Sequence, residues 1–402
     1  MMFSYIPNGS ITSVQGIKAA GIHCGLKRKR KDLALILSDY PCTVAGTFTL
    51  NKVQAAPLQI SKEIIKAGGK VRAVLINSGN ANACTGEQGI NDAKLSQEYL
   101  AGKLKLSPEE VIVSSTGVIG EYLPMNVLLS GIDSILPKLS YSGGYDAAKA
   151  IMTTDLVPKS LAVKLELSGG EITIGGIAKG SGMIMPDMAT MLAFIATDAL
   201  VDSKLLQKII SKTVNNSFNK ISVDGDTSTN DMVVILANGA TKVKIEEGTE
   251  DEIKFTEALQ ALAIDFAKAI VKDGEGATKL ITLNVTGGKT QEDVDKIAKA
   301  IVNSPLVKTA IYGNDANWGR IIAAAGRSGA DFNPGKVEIK FNDLVILKSN
   351  YVHNFDEQKA SEVLSNPEIT ITVDLKDGNA KTTWWTCDFS EEYIRINALY
   401  RT

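Results

Sequence analysis

The sequence predicts a globular chain of mixed helices and strands, with a smaller α+β subdomain after about residue 279. The composition is ordinary for a globular protein, because hydrophobic residues make up 44% of the 402 residues and charged residues 22%. Near-continuous apolar runs such as residues 190–198 are typical of strands that are buried on both faces. After residue 279, short strand patterns alternate with helix patterns.

In the first part of the chain, apolar strand patterns are separated by polar loops. Residues 33–37 form a strand pattern after the basic run 27–31. Such a run could mark a nucleic-acid or localisation patch, but a solvated hairpin tip is the better interpretation in a chain of near-zero net charge. Residues 71–77 and 111–113 predict buried strands, and each strand enters a loop of small polar residues and glycine.

The middle of the chain is the most unusual region. Residues 175–182 form a glycine-rich loop that leads towards the apolar run 190–198. Residues 205–214 predict an amphipathic helix, and residues 232–236 predict a buried strand. The turn Asp224–Gly225–Asp226 could hold a cation, but ordinary solvated turn chemistry explains it better.

The last part of the chain alternates between the two kinds of element. We expect strands at residues 279–285 and 308–312, and helices at 290–303 and 318–326, with Thr290 as the N-cap of the first helix. The final residues keep a clear pattern up to the carboxylate. Because termini fray unless something ties them down, this indicates a docked C-terminus.

Composition excludes several classes of function. A net charge of −2 disfavours a nucleic-acid partner. The only histidines, His23 and His353, do not suit a metal centre or a Ser-His-Asp triad, and the four cysteines lack metal or redox spacing, so we expect no metal. The N-terminus has no secretory pattern, and no apolar stretch reaches about 18 residues, so we expect a cytoplasmic protein without a membrane partner.

A chain without a usable histidine base can still perform nucleophilic catalysis. An N-terminal threonine can use its own α-amine as the base for its hydroxyl, and a free α-amine with a pKa of about 7.7–8.0 is partly neutral in the cell. Such a threonine must be created by cutting the chain. Thr190 fits, because it opens a buried strand pattern after a glycine-rich loop.

Motifs of several residues lie along the chain, at residues 19–22, 53–57, 77–83, 115–120, 179–192, 313–320 and 395–402. Together they resemble the ornithine acetyltransferase (glutamate N-acetyltransferase) family of arginine biosynthesis. The resemblance extends over nearly the whole chain.

The resemblance implies a self-processing enzyme. The precursor would cut itself between Ala189 and Thr190, giving an α chain of residues 1–189 and a β chain of residues 190–402. Thr190 would then act as the nucleophile, taking the acetyl group of N-acetylornithine and passing it to glutamate in a ping-pong reaction.

The resemblance also implies which residues form the rest of the site. Thr116 and Gly117 would form the oxyanion hole that stabilises each tetrahedral intermediate. The implied substrate-binding residues are Thr153, Lys179, Thr190, Glu275, Asn397 and Thr402. Contacts from the C-terminus would explain why the last residues are well patterned.

The fold implied by the resemblance is α+β, with stacked mixed β-sheets flanked by helices, as in related aminopeptidases. We expect a main catalytic domain at residues 1–279 and a C-terminal α/β subdomain at residues 280–402. The family assembles as a tetramer of two α and two β chains and needs no cofactor. Some members also accept acetyl-CoA as a substrate, and no residue of this sequence decides whether this chain does.

Two alternative functions remain open at this point. One is a related self-processed amidohydrolase or aminopeptidase, against which the family-like C-terminal stretch argues. The other is a non-catalytic binding protein that keeps the fold. Fragments on denaturing electrophoresis of an active preparation would separate the processed enzyme from this second alternative.

Overall fold

The computed structural model describes residues 3–185 and 191–399, which form a mixed α+β fold with stacked sheets and flanking helices. The strands are β1 (Phe3–Tyr5), β2 (Ile17–Ile22), β3 (Leu33–Phe48), β4 (Lys70–Asn80), β5 (Val111–Val118), β6 (Lys159–Leu167), β7 (Gly170–Lys179), β8 (Leu192–Thr197), β9 (Leu200–Val201), β10 (Ile221–Ser222), β11 (Met232–Ala237), β12 (Lys244–Ile245), β13 (Leu280–Gly288), β14 (Glu338–Phe341), β15 (Leu344–Leu347), β16 (Glu368–Asp374) and β17 (Ala380–Cys387). The helices are α1 (Ala56–Ala67), α2 (Gly86–Leu104), α3 (Met125–Ile135), α4 (Gly144–Ile151), α5 (Ser203–Asn215), α6 (Glu250–Lys272), α7 (Gln291–Val302), α8 (Pro305–Tyr312), α9 (Trp318–Gly326), α10 (Glu357–Leu364) and α11 (Glu391–Leu399).

A nine-stranded mixed sheet forms the larger part of the fold. Eight of its strands follow the order β1-β6-β7-β8-β11-β3-β4-β5, and the ninth strand, β2, pairs with β3. Both faces of β8 are covered, because Ala193 and Ile195 pack into one core whereas Phe194 and Ala196 pack into the other. This two-sided burial explains why the predicted strand is a continuous apolar run and not an alternating one.

The helices cover the two faces of this sheet. Helices α5 and α6 pack against one face, and α4 packs against the other through β2 and β3. Helix α6 begins at a Thr249 N-cap, whose side chain accepts the N–H of Glu252. Among the described residues, no helix combines the length and the apolar character that a membrane crossing requires.

A second, six-stranded sheet contains the strands that follow residue 279. Its order is β10-β17-β13-β16-β14-β15, and α7 packs against β13 and β17. The predicted helix at 290–303 is confirmed as α7, with the Thr290 hydroxyl oxygen accepting the N–H of Asp293 at 3.1 Å. The division into 1–279 and 280–402 stays a prediction; β10, which comes from the first part, pairs in parallel with β17.

The strand predicted at residues 308–312 is wrong, since these residues belong to α8. Ser304 caps this helix, and Pro305 occupies its first position, where its fixed φ and missing N–H are tolerated. The buried Lys308 reaches the Thr386 hydroxyl at 2.8 Å. A segment of five residues is too short to show a periodicity that distinguishes a helix from a strand, so the sequence alone did not settle the choice.

The strand predicted at residues 33–37 is correct but too short. β3 continues to Phe48 through a register shift between Leu37 and Cys42. The polar residues that suggested an end therefore mark a bulge within a longer strand, which lets its first part pair with β2 and its last part pair with β11.

A buried ion cluster joins the end of α6 to the loop that follows α4. The Lys159 ammonium nitrogen lies 2.7 Å from Asp155 Oδ1 and 2.6 Å from Asp273 Oδ2, and all three side chains are almost completely buried. Asp155 also accepts the backbone N–H of Thr153 at 3.0 Å and that of Gly180 at 2.8 Å. The cluster thereby holds three chain segments at fixed positions.

Electrostatics keep Asp155 ionised. Burial by itself raises the pKa of Asp155, but the ammonium groups of Lys159 and Lys179 outweigh burial and bring that pKa down to about 2. The pKa of Asp273 is raised instead, because burial outweighs the effect of the neighbouring Lys159 ammonium. Removing the shared cation would leave two buried carboxylates without their counter-ion.

We predict that Lys159→Met lowers the free energy of unfolding by about 3–5 kcal/mol, the cost of leaving a buried charge unpaired. Urea unfolding followed by circular dichroism measures this change. The control is Lys164→Met on the same strand, whose partner Glu171 is about half exposed, and it should change the unfolding midpoint little. Equal effects of the two substitutions would contradict a special role for the buried cluster.

Candidate active site

One cavity of about 220 Å³ brings together the six described residues that the resemblance singled out for the site. They come from β5, the loop after α4, the end of β7, the loop after α6, and α11. The lining is formed by Thr116, Gly117, Ile119, Thr153, Thr154, Lys179, Gly182, Met183, Asp224, Asp226, Ser228, Thr229, Asn230, Glu275, Tyr393 and Asn397. The other predicted site residues, Ala189, Thr190 and Thr402, lie outside the described residues.

The Thr116–Gly117 corner lies at the end of β5, where this strand runs beside β4. Gly117 has a φ of +135°, which residues with a side chain rarely adopt. A Cβ at this position would lie 2.4 Å from the carbonyl carbon of Gly79 and 2.6 Å from the backbone nitrogen of Asn80. Only glycine fits here, and its backbone forms part of the cavity wall.

Lys179, at the end of β7, is a buried cation inside the site. Its ammonium group donates to the Thr116 hydroxyl at 3.2 Å and to the Thr153 hydroxyl at 3.1 Å. Burial lowers the pKa of Lys179, and the nearby carboxylates of Asp155, Asp231 and Glu275 act against this shift. Since an ammonium group can only donate, both threonine oxygens act as acceptors and keep their own protons available for other acceptors.

Glu275 and Asn397 form the side of the cavity that the C-terminal helix closes. The Asn397 side-chain amide donates to Glu275 Oε2 at 2.8 Å. Glu275 is itself buried, its N–H donates to the Ser181 carbonyl at 2.9 Å, and a Cβ on Gly182 would lie 2.4 Å from its carboxyl carbon. The docked C-terminus that the sequence pattern indicated is therefore present as far as α11 extends.

Sequence reasoning missed one carboxylate of the cavity wall. Asp224 is not simply a solvated turn residue, because it accepts the N–H groups of Met183 at 2.6 Å and Ile184 at 2.8 Å. The Tyr393 hydroxyl donates to it at 3.3 Å, and burial raises the pKa values of both groups. Asp226, two residues further on, is exposed as a turn residue should be, although it also borders the cavity.

Asp231, immediately before β11, is the second carboxylate that the sequence did not reveal. It is 1% exposed, and its Oδ1 accepts the N–H of Met191 at 3.1 Å. Its Oδ2 has no hydrogen-bond partner among the described residues. Burial raises the pKa of this carboxyl group well above its usual range. A buried acid thus lies beside the residue that follows position 190 in the chain.

The cavity has two electrostatic zones. Lys179 supplies the positive zone, whereas Glu275, Asp224 and Asp226 supply the negative zone. Residues 3–185 and 191–399 contain no group of three or more His, Cys, Asp or Glu side chains that could hold a metal ion. A cavity of this kind suits a small molecule that carries both a carboxylate and an ammonium group.

We predict that Asp231→Asn makes the stability of the folded protein less sensitive to rising pH. Because the folded protein raises the pKa of the wild-type carboxyl group, this group contributes fully to the free energy of unfolding only below its pKa in the unfolded chain, about 3.9. That contribution is lost as the pH rises through the pKa of the group in the folded protein. Asparagine keeps an oxygen for the Met191 N–H but cannot ionise.

The urea midpoint of Asp231→Asn should therefore fall less than that of the wild type between about pH 5 and about pH 9. Exposed Asp343→Asn serves as the control and should follow the wild type. Parallel curves for all three proteins would show that Asp231 does not titrate differently in the folded protein.

Comparisons with known proteins identify the family of this chain. The model of the ArgJ family matches residues 18–402. The arginine biosynthesis bifunctional protein ArgJ of Caldanaerobacter subterraneus subsp. tengcongensis is 50% identical over 402 residues, covering 99% of this chain and 100% of that protein. The protein of the same name from Bacillus cereus is 46% identical over 398 residues, covering 99% of this chain and 98% of its own.

Among solved structures, the chain is similar to the ornithine acetyltransferase of Mycobacterium tuberculosis complexed with ornithine. The identity is 38% and the TM-score 0.42, with 46% of this chain and 98% of that chain covered. The extent of the family match and the identity to full-length relatives are decisive. This chain belongs to the ArgJ family.

Proposed function

We propose that this protein is a self-processing acetyltransferase of arginine biosynthesis, which moves the acetyl group of N-acetylornithine to glutamate through Thr190. Membership of the ArgJ family and the names of its relatives support this proposal. The observation that carries it is the meeting of Thr116, Gly117, Lys179 and Glu275 in one cavity, although they come from three distant parts of the sequence.

Processing creates the nucleophile. The Thr190 hydroxyl oxygen attacks the Ala189 carbonyl carbon, the peptide C–N bond breaks, and an ester with a free α-amine results. Water then hydrolyses the ester to the Ala189 carboxylate and the Thr190 hydroxyl. The α-amine of Thr190 is now available as the general base.

Acetyl transfer follows in two steps. The Thr190 amine takes the hydroxyl proton, the oxygen attacks the acetyl carbonyl, and the bond to the ornithine nitrogen breaks as that nitrogen receives the proton. Ornithine leaves and glutamate enters. The glutamate amine then attacks the acetyl ester, releasing N-acetylglutamate and restoring the Thr190 hydroxyl.

An oxyanion forms in each of these steps, and Thr116 and Gly117 are suited to stabilise it. The hydrogen bond from Lys179 to the Thr116 oxygen leaves the Thr116 hydroxyl proton free to donate. The glycine at position 117 allows a close approach of its backbone N–H. Two donors of this kind form an oxyanion hole.

The two electrostatic zones suit the substrates. Lys179 uses two of its three N–H donors on Thr116 and Thr153, so its third donor can bind a substrate α-carboxylate. Glu275 and Asp224 suit the side-chain ammonium of ornithine. Asn397 and Thr402 would complete this side of the site.

The remaining features of the proposal concern partners. Because the curated relatives are named bifunctional, we include acetyl-CoA as a second acetyl donor at the same threonine. The chemistry requires no metal or cofactor, since the chain itself supplies nucleophile, base and oxyanion donors. We further propose an assembly of two α and two β chains in the cytoplasm.

The proposal predicts that Thr190→Ala stays a single full-length chain and transfers no acetyl group. Alanine has no hydroxyl to attack the preceding carbonyl or to carry the acetyl group. Denaturing electrophoresis and an assay for N-acetylglutamate measure the two effects. The control Thr282→Ala, in β13 of the other sheet, should be processed and active. A cut or active Thr190→Ala protein would refute the mechanism.

For the oxyanion hole we predict that Thr116→Val lowers kcat by about 10²–10³-fold, corresponding to the loss of one donor. Valine keeps the shape of threonine and removes only the hydroxyl. Steady-state rates should be normalised to the processed fraction, because processing uses the same oxyanion donors. Thr286→Val, in β13, controls for the same substitution elsewhere. An unchanged kcat in Thr116→Val would remove Thr116 from the oxyanion hole.

A further inference from the structure

The basic run at residues 27–31, here called the basic loop, joins β2 to β3 and is not a freely solvated hairpin tip. Its backbone is fixed by Asp32, which is completely buried. The Asp32 carboxylate accepts the N–H groups of Cys24 at 2.6 Å, Gly25 at 3.1 Å and Lys27 at 2.8 Å. A buried carboxylate that gathers several backbone donors holds a loop in one conformation.

Two side chains of the basic loop attach it to the cavity wall. Lys27 Nζ donates to the Met152 carbonyl at 2.9 Å, and Arg30 donates to the Asp155 carbonyl at 3.1 Å. Thr153, which lines the cavity, lies between these two acceptors in the chain. The basic loop is therefore next to the candidate active site.

Lys27 also lies close to Gly79, which packs against Gly117 of the proposed oxyanion hole. A Cβ added to Gly79 would lie only 2.7 Å from Lys27 Cγ, and a Cβ added to Gly117 would lie 2.4 Å from the carbonyl carbon of Gly79. Burial lowers the pKa of Lys27 to about 8, and the charges of Arg30 and Lys179 contribute to the same shift. Positive charge thus accumulates at one side of the cavity.

Arg28 and Lys29 are the members of the basic loop that remain available. Both are exposed, and neither makes a hydrogen bond or ion pair with a described residue. Lys31, by contrast, is engaged by Asp146 at 3.0 Å. The fixed loop therefore presents two exposed cations between Lys27 and Arg30, the two residues that attach it to the cavity wall.

The basic loop lies outside the cavity lining, and inside the cavity Lys179 already offers a cation to the α-carboxylate of a small substrate. The negative zone of the cavity suits the ammonium end of ornithine, whereas the exposed cations of the basic loop suit an anionic group. Nucleic acid is disfavoured by the overall charge. An anion that belongs at an acyl-transfer cavity is one that delivers an acyl group while carrying phosphates.

We propose that the basic loop binds the phosphate groups of an acyl thioester donor of the coenzyme A type, with Arg28 and Lys29 as its specificity-determining contacts. The proposal rests on the acyl transfer to Thr190 proposed above. In the step it serves, the Thr190 oxygen attacks the thioester carbonyl, the C–S bond breaks, and the thiolate takes the proton that the Thr190 amine received.

The test compares three acetyl donors with glutamate as acceptor. Acetyl-CoA is a thioester that carries phosphates, and S-acetyl-N-acetylcysteamine is a thioester without phosphates. N-acetylornithine has neither a thioester nor a phosphate. Arg28→Ala/Lys29→Ala should raise the KM for acetyl-CoA at least about fivefold and leave kcat and the other two KM values unchanged. Added salt should weaken acetyl-CoA binding in the wild type more than in the variant.

The matched control is Lys94→Ala/Lys381→Ala, which removes the same charge from two exposed positions elsewhere. It should leave all three KM values unchanged. An equal effect of both double variants, an equal effect on all donors, or an unchanged KM for acetyl-CoA would overturn the proposal. Inorganic phosphate should compete with acetyl-CoA only, and competition with every donor would instead indicate a general anion site.

These outcomes also separate this proposal from the proposed function. If N-acetylornithine supports transfer and acetyl-CoA does not, the role of the basic loop is refuted and the Thr190 mechanism stands. If no donor supports transfer, the proposed function itself fails.

Discussion

The candidate site depends on the buried Lys159 ammonium between the carboxylates of Asp155 and Asp273. Through the backbone N–H groups that Asp155 accepts, this cluster fixes Thr153 and Gly180, and through Asp273 it fixes the loop that carries Glu275. The Ser181 hydroxyl adds a further link by donating to the Asp273 carbonyl at 2.9 Å. A buried ion pair is weak evidence for net stability, but here it holds together segments from distant parts of the sequence.

The same arrangement explains how a chain with two histidines can prepare hydrogen-bond donors. Lys179 stands next to this cluster and directs its protons to the oxygens of Thr116 and Thr153. The hydroxyl protons are thereby left for the substrate or the oxyanion. Fixed donors in a buried site stabilise developing charge without the reorganisation that water would need.

Much of the fold could be predicted from sequence because its strongest patterns are local. The helix at 318–326 and the strand at 232–236 agree with α9 and β11. The strand expected at 308–312 failed, because only the tertiary contacts of Lys308 and the cap at Ser304 identify this segment as helical.

For the site, the resemblance supplied six residues that the fold gathers in one cavity. It did not point to Asp224 or Asp231. Acidic residues beside a strand are usually solvated turn residues, and nothing in the local sequence shows that the surrounding segments bury them. The position of Asp231 directly before a continuous apolar strand is the one signal that could have raised the question.

In the proposed mechanism an acetyl group is bound to Thr190 between the two half-reactions. Processed protein should be incubated with N-acetylornithine in the absence of glutamate and examined by intact-mass and peptide mass spectrometry. We expect the fragment that begins at Thr190 to gain one acetyl group and to lose it when glutamate is added. A fragment without acetyl, together with acetate released equally fast with and without glutamate, would contradict this mechanism and indicate a hydrolase.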